Sequence, residues 1–273
     1  MELGLEGRVA VVAAASSGLG LASAAALAAE GALVAIAARD RGRLEAASQE
    51  IEKEARRLSG DRFPRRPVLT VPCDLSTVEG PARFVLEAQD AFGRVDIVVA
   101  NCGGPAWRKA VEVGDEDWAQ AIPLTLLSTT RLIQAALPGM RARRWGRVIA
   151  ITSVSVKQPI EGLVLSTALR SAVVGYLKSL SDEVASEGIT VNAIAPGSIA
   201  TPRLESLLLS RARDEKRDVE AVRTEVAAKI PARRLGRPEE LGAAVAFLAS
   251  ARAAYITGTV FPIDGGVIRS VNG

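Results

Sequence analysis

The sequence predicts an α/β fold in which a doubly wound parallel sheet is covered by helices on both faces, giving three layers. Short apolar runs alternate with longer helical stretches along the 273 residues. The runs are continuously apolar, which is typical of parallel strands that are buried on both faces. The length suits one domain spanning residues 1–273 and is short for two domains of full size.

Seven runs are predicted as strands because they are rich in β-branched and small apolar residues and end at polar or turn-forming residues. They cover residues 8–13, 32–37, 68–71, 95–100, 147–151, 190–194 and 259–263. In such folds ligands bind at the carboxyl ends of the strands. We therefore expect the functional residues to follow directly after each strand.

The stretches between the strands are predicted as helices. Residues 18–30 are rich in alanine and end before Gly31, and residues 81–92 end before Gly93, since glycine commonly follows the end of a helix. Residues 44–58 have the charge pattern of an amphipathic surface helix. Further helices are expected over residues 163–187 and 239–248, with one or two helical stretches over 118–140 despite Pro123.

The segment at about 198–237 interrupts this alternation. It is long, helical and rich in charge, and it lies between a strand end and the next helix. We interpret it as a lid-like insertion over the strand ends, because long connections in compact domains often carry function. The alternative is a solvated surface hairpin.

Composition excludes several classes of function. Histidine is absent, so the chain has no Ser-His-Asp triad and no imidazole ligand, and its two cysteines make no zinc site; we expect no metal. The net charge is only +3, and basic residues are mixed with acidic ones, so we expect no nucleic-acid partner. Without an apolar span or a signal peptide, we expect no membrane partner and a cytoplasmic location.

The turn after the first strand is a candidate phosphate loop, defined as residues 13–20. Its small residues allow a pyrophosphate to approach the backbone, and the next helix offers free N–H groups at its N-terminus. The residues expected at the phosphates are Ala14, Ser16, Ser17, Gly18, Leu19 and Gly20. Two glycines alone are weak evidence, and the alternative is a tight strand-to-helix turn without a ligand.

The phosphate loop resembles the Thr-Gly-x-x-x-Gly-x-Gly signature of the short-chain dehydrogenase/reductase family, with alanine at the threonine and first glycine positions. Five further matches follow in order. They are Cys73-Asp74-Leu75, Asn101-Cys102-Gly103-Gly104, residues 192–201, residues 234–240, and residues 256–258 together with 264–266. The last two of these matches resemble the corresponding segments of 3-oxoacyl-acyl-carrier-protein reductases. The resemblance implies a Rossmann-type fold. It also implies cofactor contacts from Asp74, Leu75, Asn101, Gly103, Pro196, Gly197, Ile199 and Thr201.

The residues after the second strand favour NADP(H) over NAD(H). The position where an NAD enzyme places a carboxylate is Ala38, and Arg39 follows it. A guanidinium binds a ribose 2′-phosphate through two hydrogen bonds. Two alternatives remain: Arg39 and Arg41 begin a charged helix that Asp40 caps, or Asp40 itself binds the ribose.

The catalytic residues that the resemblance implies are mostly replaced. Ser153 fits the family's serine, but Ser166 stands at the tyrosine position, Arg170 at the lysine position and Thr125 at the asparagine position. An aliphatic hydroxyl is a much weaker acid than a phenol, and arginine does not relay protons as lysine does. Lys157 is a candidate replacement acid, and the alternative is a solvated loop lysine. Ser153 has the alternative of a strand-end hydroxyl that bonds nearby backbone, and Arg170 that of an ordinary surface arginine.

Two functions follow from these replacements. The first is an NADP(H)-dependent oxidoreductase acting on a small carbonyl or acyl substrate, similar to 3-oxoacyl-acyl-carrier-protein reductases, with altered acid–base residues. The second is a weakly active or inactive dinucleotide-binding or scaffold protein of the same fold; a scaffold that binds no nucleotide is a third. The resemblance also implies a homotetramer in which the helix over 163–187 packs against its counterpart through Ala168, Ser171, Ala172 and Gly175.

Overall fold

A computed structural model describes residues 2–59 and 68–271 of the chain. Within these residues the strands are β1 (Val9–Ala13), β2 (Leu33–Ala38), β3 (Leu69–Pro72), β4 (Ile97–Ala100), β5 (Gly146–Ile151), β6 (Ile189–Pro196) and β7 (Val260–Ile263). All pairings are parallel, and the strand order is β3-β2-β1-β4-β5-β6-β7. The predicted doubly wound sheet is confirmed.

Helices connect the strands and cover both faces of the sheet. They are α1 (Gly18–Ala29), α2 (Arg41–Ser59), α3 (Gly80–Phe92), α4 (Asp115–Ile122), α5 (Ser128–Arg143), α6 (Val164–Val184), α7 (Pro202–Asp214), α8 (Val219–Lys229) and α9 (Pro238–Ala249). The predicted helices agree with these within a few residues. The end of the stretch predicted over 163–187 forms a 3₁₀ turn, Ala185–Glu187, rather than α-helix.

The core lies in two layers, one on each face of the sheet. In β1 every side chain is buried, because alternate residues point to opposite faces. Ala10 and Val12 pack in the cluster with α1, α2 and α9, whereas Val9, Val11 and Ala13 pack with α3, α5 and α6. Burial on both faces explains the continuously apolar strands.

The stretch around Pro123 differs from a simple helix. Between α4 and α5 the chain forms a π-helical segment, Pro123–Leu127, which contains the buried Thr125. Proline lacks an N–H, so the regular hydrogen-bond ladder cannot pass through this position. Wider π turns of this kind often lie at functional sites.

The segment predicted as an insertion consists mainly of α7 and α8. Its two ends meet in a parallel bridge between Ile199 and Gly236, where Gly236 N donates to the Ser198 carbonyl at 3.0 Å and Ala200 N to that of Gly236 at 2.9 Å. Thr201 is the N-cap of α7, and its hydroxyl accepts from Leu204 N. The two helices therefore form one excursion with a closed base, and they pack on each other through Leu208, Ala212 and Val222.

Candidate active site

The strand order reverses between β1 and β4, and the crevice at this point is where doubly wound sheets bind ligands. Asn101, directly after β4, reaches across the crevice, and its Nδ2 donates to the Ala14 carbonyl at 3.3 Å. The structure thus places Asn101 against the phosphate loop. Gly103 lies two residues further on and has open space around its Cα.

The phosphate loop has a backbone shape that side chains rarely permit. Ala14 has a φ of +48° and Gly18 of +60°. A Cβ at Gly20 would lie 2.5 Å from the Ala14 oxygen, so only glycine allows this close approach of α1 to the loop. Ala15 N, the next amide along, donates to the Ala37 carbonyl at 3.2 Å and fixes the loop to β2.

The N-terminus of α1 suits a phosphate. The N-cap residue Ser17 makes no side-chain capping bond, and the first turn contains no acidic residue. The backbone amides of the first turn of α1 are therefore free to donate to an anion, and the helix dipole favours negative charge there. Ser16 and Leu19 are half-buried beside these amides. The residues present fit the pyrophosphate of a dinucleotide.

The end of β2 presents basic side chains. Arg39 is exposed, and the Asp40 carboxylate accepts from Arg43 N at 2.9 Å, so it caps the first turn of α2. The Arg43 guanidinium reaches back to the phosphate loop, with Nη2 3.5 Å from Ser17 Oγ. Sequence reasoning missed Arg43, since the spacing between positions 17 and 43 carries no signal.

Asp74 follows β3 beside this basic region. Its Oδ1 accepts from both the amide and the hydroxyl of Ser76, at 2.9 and 2.7 Å. These hydrogen bonds, and the nearby charge of Arg39, lower the pKa of Asp74. Leu75 is half-buried next to it. Asp74 and Leu75 therefore lie at the same edge of the crevice as Arg39.

The segment after β6 adjoins the phosphate loop from the other side. Pro196 ends β6, and Gly197 N donates to the Ile263 carbonyl at 3.0 Å. Ile199 is buried, and Thr201 lies against Gly18, where an added Cβ would be 3.5 Å from the threonine methyl. The structure thus brings the predicted residues after β6 to the same crevice.

Ser166 and Arg170 face each other on α6, and both are buried. Arg170 Nε donates to Ser166 Oγ at 3.2 Å, and Nη1 donates to the Ile151 carbonyl, the last of β5, at 2.7 Å. Nη2 lies 3.7 Å from Cys102 Sγ. Arg170 therefore lies at the carboxyl ends of β4 and β5, where a substrate is expected.

The remaining predicted catalytic residues lie nearby without joining this hydrogen-bond chain. Ser153, two residues after β5, uses its hydroxyl to accept from Ser155 N at 3.1 Å. Thr125 is buried in the π-helical segment, and its hydroxyl has no hydrogen-bond partner in the described part of the chain. Lys157 is half-buried, and its ammonium forms no ion pair with residues 2–59 or 68–271.

Arg203 is a second arginine that sequence reasoning missed. It belongs to the first turn of α7, and its Nη2 donates to the Pro105 carbonyl at 3.2 Å. Its guanidinium packs on Gly104, where a Cβ would approach it to 2.5 Å. Arg203 is exposed as a residue, but partial desolvation of its guanidinium against Gly104, together with the charge of Arg170, lowers the pKa of Arg203. No signal in the sequence links position 203 to the loop after β4.

The described residues also bear on metal binding and on membrane insertion. No group of three or more Cys, Asp or Glu side chains in residues 2–59 and 68–271 is arranged to hold a metal ion. Among the same residues, no helix combines the length and the apolar character that crossing a bilayer requires.

Comparison with known proteins identifies the family. The family model described as enoyl-(acyl carrier protein) reductase matches residues 13–268. The 3-oxoacyl-[acyl-carrier-protein] reductase FabG of Escherichia coli is 36% identical over 265 residues, which are 97% of this chain and 99% of that protein. L-Sorbose reductase from Gluconobacter frateurii, solved with NADPH and L-sorbose, is similar with a TM-score of 0.91 at 33% identity, covering 99% of this chain and 100% of that chain. YwfH, an NADPH-dependent reductase involved in bacilysin biosynthesis, is similar with a TM-score of 0.89 at 28% identity, covering 97% and 99%.

These matches run over nearly the whole chain and include the crevice described above. They confirm the resemblance that the six ordered motifs indicate. The chain belongs to the short-chain dehydrogenase/reductase family, whose members are oxidoreductases acting on C=O and CH–OH groups, and within it resembles the 3-oxoacyl-acyl-carrier-protein reductases.

Proposed function

We propose that the protein is an NADP(H)-dependent oxidoreductase acting on a small carbonyl or hydroxyl substrate of the 3-oxoacyl type, with altered acid–base residues. One observation carries the proposal. The amides at the start of α1, which no side chain caps, follow the carboxyl end of β1, and the Ser166–Arg170 pair contacts the carboxyl end of β5, so a phosphate site and a polar reaction site at the same edge of the sheet are supported. The NADPH complex of the sorbose reductase supports the same interpretation.

The basic residues after β2 support NADP(H) rather than NAD(H). The Asp40 carboxylate already accepts a hydrogen bond from Arg43 N at the start of α2, so it is poorly placed to accept from a ribose hydroxyl. Arg39 and Arg43 are both exposed, Arg39 near Asp74 and Arg43 against Ser17 of the phosphate loop, and two guanidiniums complement a 2′-phosphate. We expect Arg43→Met to weaken NADPH binding while leaving NADH binding unchanged.

The cofactor, when bound, supplies or accepts the hydride. Ser166 Oγ accepts from Arg170, so its own hydrogen remains available to donate to a carbonyl oxygen. The positive charge of Arg170 stabilises negative charge that develops on that oxygen in a partly dry site. Because a serine hydroxyl is a poor acid, the proton comes ultimately from water, with Ser153 positioning the carbonyl.

Steady-state oxidation of NADPH with a panel of keto esters tests the proposal. We expect turnover that Ser153→Ala lowers about tenfold, the effect of one lost hydrogen bond, without changing the dissociation constant of NADPH. Thr125→Val removes the buried, unpartnered hydroxyl; a catalytic role predicts slower turnover at unchanged cofactor affinity. Lys157→Met tests the alternative acid, since only a proton donor would shift the pH profile.

One observation favours the second candidate, a protein that binds the dinucleotide without turnover. The Ser166 hydroxyl is already paired with a permanently charged group, and neither partner is a good acid at neutral pH. NADPH binding without oxidation, unaffected by Ser153→Ala, would support this candidate. If neither NADP(H) nor NAD(H) raised the melting temperature, the protein would bind no nucleotide at all.

We propose in addition that residues 1–273 form one domain, with residues 198–237 as the lid, in a cytoplasmic homotetramer. Residues 1, 60–67 and 272–273 of that domain lie outside the described residues. The bridge between Ile199 and Gly236 supports an insertion with a closed base. The exposed small residues of α6 support close helix packing between subunits, and they are Ala168, Ser171, Ala172 and Gly175.

A further inference from the structure

Two guanidiniums converge on one short loop at the substrate end of the crevice. This loop, Cys102–Pro105, follows β4. Arg170 approaches its first residue, with Nη2 3.7 Å from Cys102 Sγ, and Arg203 approaches its last, with Nη2 3.2 Å from the Pro105 carbonyl. The two arginines come from different helices, α6 and α7.

Neither arginine has a counter-ion in the described part of the chain. No Asp or Glu of residues 2–59 or 68–271 lies within 4.0 Å of either guanidinium, although carboxylates pair with many other arginines there. Arg170 is itself 8% exposed, whereas Arg203 is an exposed residue whose guanidinium packs on Gly104. The buried charge of Arg170 therefore lacks a carboxylate partner in the described part of the chain, and an anion bound between the two guanidiniums offsets both positive charges.

Hydrogen-bonding capacity remains for such an anion. A guanidinium has five N–H groups. Three nitrogens of Arg170 each donate one bond within the chain, and Arg203 donates one, to Pro105. Since the planar fork of arginine matches the paired oxygens of a carboxylate or a phosphate, the remaining N–H groups suit an anion of this kind.

The location indicates the substrate rather than the cofactor phosphates as the source of the anion. The phosphate-binding helix follows β1, whereas Arg170 contacts the ends of β4 and β5, and these strands are neighbours in the order β1-β4-β5. Two strand spacings amount to about 10 Å. Arg170 is also only 3.2 Å from Ser166, so an anion that it binds lies close to a carbonyl held by that hydroxyl.

We propose that Arg170 and Arg203 bind a carboxylate of the substrate, so that the enzyme reduces free 2-oxo or 3-oxo acids in preference to their neutral esters. This substrate preference rests on the proposed reductase function. In the reaction the carbonyl carbon takes up a hydride and its oxygen a proton, which gives the hydroxy acid while NADPH becomes NADP⁺. The closeness of the carbonyl and carboxylate sites selects short acids.

The test compares matched acids and esters with NADPH: acetoacetate with ethyl acetoacetate, and pyruvate with ethyl pyruvate. In the wild type we expect kcat/KM to favour the acid. Arg203→Met should lower the acid-to-ester ratio about 10- to 100-fold, the worth of a hydrogen bond to a charged group, whereas Arg203→Lys should keep part of the preference. Arg213→Met removes the same charge from the exposed end of α7 and should leave the ratio unchanged.

Several outcomes would overturn the proposal. An ester preference in the wild type, or an equal loss for acid and ester in Arg203→Met, would leave Arg203 as a latch between α7 and the Cys102–Pro105 loop. A fall in NADP(H) affinity at an unchanged ratio would assign the anion site to the cofactor. The ratio does not depend on how much variant protein folds, so partial unfolding cannot imitate the expected result.

A binding measurement separates failure of this proposal from failure of the reductase function. If no substrate is reduced, the proposed function fails, but the carboxylate site is still testable with butyrate against the neutral butyramide at equal ionic strength. We expect butyrate alone to raise the melting temperature of the wild type and of Arg213→Met, but not of Arg203→Met. Equal effects of the two compounds would refute the site.

Discussion

The close approach of α1 to the phosphate loop makes Gly20→Ala a sharp test of the structure. The added Cβ would lie 2.5 Å from the Ala14 oxygen and 2.9 Å from the Ala15 Cα. Both contacts are with backbone that cannot easily retreat, because the Ala14 carbonyl accepts from Asn101 and the loop is bonded to β2. Helix and loop must therefore separate by roughly 1 Å, a distortion of the kind that overpacking causes.

The change in the free energy of unfolding caused by Gly20→Ala is the sum of two opposing effects. Overpacking costs about 1–3 kcal/mol, and alanine gains about 0.5–1 kcal/mol over glycine within a helix. We expect a net loss of about 1–2 kcal/mol and a melting temperature lower by roughly 3–6 °C. Because the same shift displaces the amides of α1, NADPH affinity should fall about tenfold, measured by fluorescence titration.

Gly139→Ala is the matched control, because it places the same methyl group in the interior of α5. There the Cβ would meet the side-chain ends of Arg143 and Gln89 rather than backbone, the nearest at 3.2 Å. We expect unchanged cofactor affinity and equal or slightly higher stability. A Gly20→Ala protein with the melting temperature and the NADPH affinity of the wild type would show that the loop does not have this shape.

Three further predictions concern assembly, pH and thiol chemistry. Ala172→Glu places a carboxylate on the small-residue face of α6, which should dissociate the expected tetramer in sedimentation velocity at micromolar concentration; a monomeric wild type would refute the tetramer itself. Hydrogen bonds from Arg234 lower the pKa of Glu240 from 4.5 to about 2, so this carboxylate stabilises the folded state above pH 4.5 and loses its effect as the pH falls through 2. The melting-temperature difference between wild type and Glu240→Gln should therefore vanish toward pH 2, and a pH-independent difference would contradict the ion pair. Burial raises the pKa of Cys73 to about 11, so iodoacetamide at pH 8 should modify the half-exposed Cys102 first, as peptide mass spectrometry can check; faster labelling of Cys73 would be inconsistent with its burial.

The sequence predicts the layered sheet well because burial on both faces leaves a local signature. The run Val9–Ala13 is wholly apolar and forms a central strand, and Gly31 and Gly93 follow helices as expected. The stretch around Pro123 is harder to predict. A missing N–H shows that the helix is perturbed, but whether it breaks, kinks or widens to a π turn depends on packing around Thr125.

The contacts of the candidate site also differ in how far apart their partners lie in the sequence. Ser166 and Arg170 are four residues apart on one helix, so their contact follows from helical periodicity. Arg203 meets the Cys102–Pro105 loop across 98 positions of sequence, and Arg43 meets Ser17 across 26. Long side chains that cross between elements leave no periodic pattern, so their partners emerge only from the packed structure.

The unusual bend at Ala14 has a consequence for how such proteins are recognised. Neighbouring strands hold the bend from both sides, through the Asn101 amide and through the bond from Ala15 to β2. A methyl group is tolerated there at about 1 kcal/mol because the surroundings, rather than the residue itself, impose the conformation. At positions of this kind the glycine signature can erode during evolution while the dinucleotide cradle keeps its form, so searches based on letter strings will overlook members that a comparison of shapes retains.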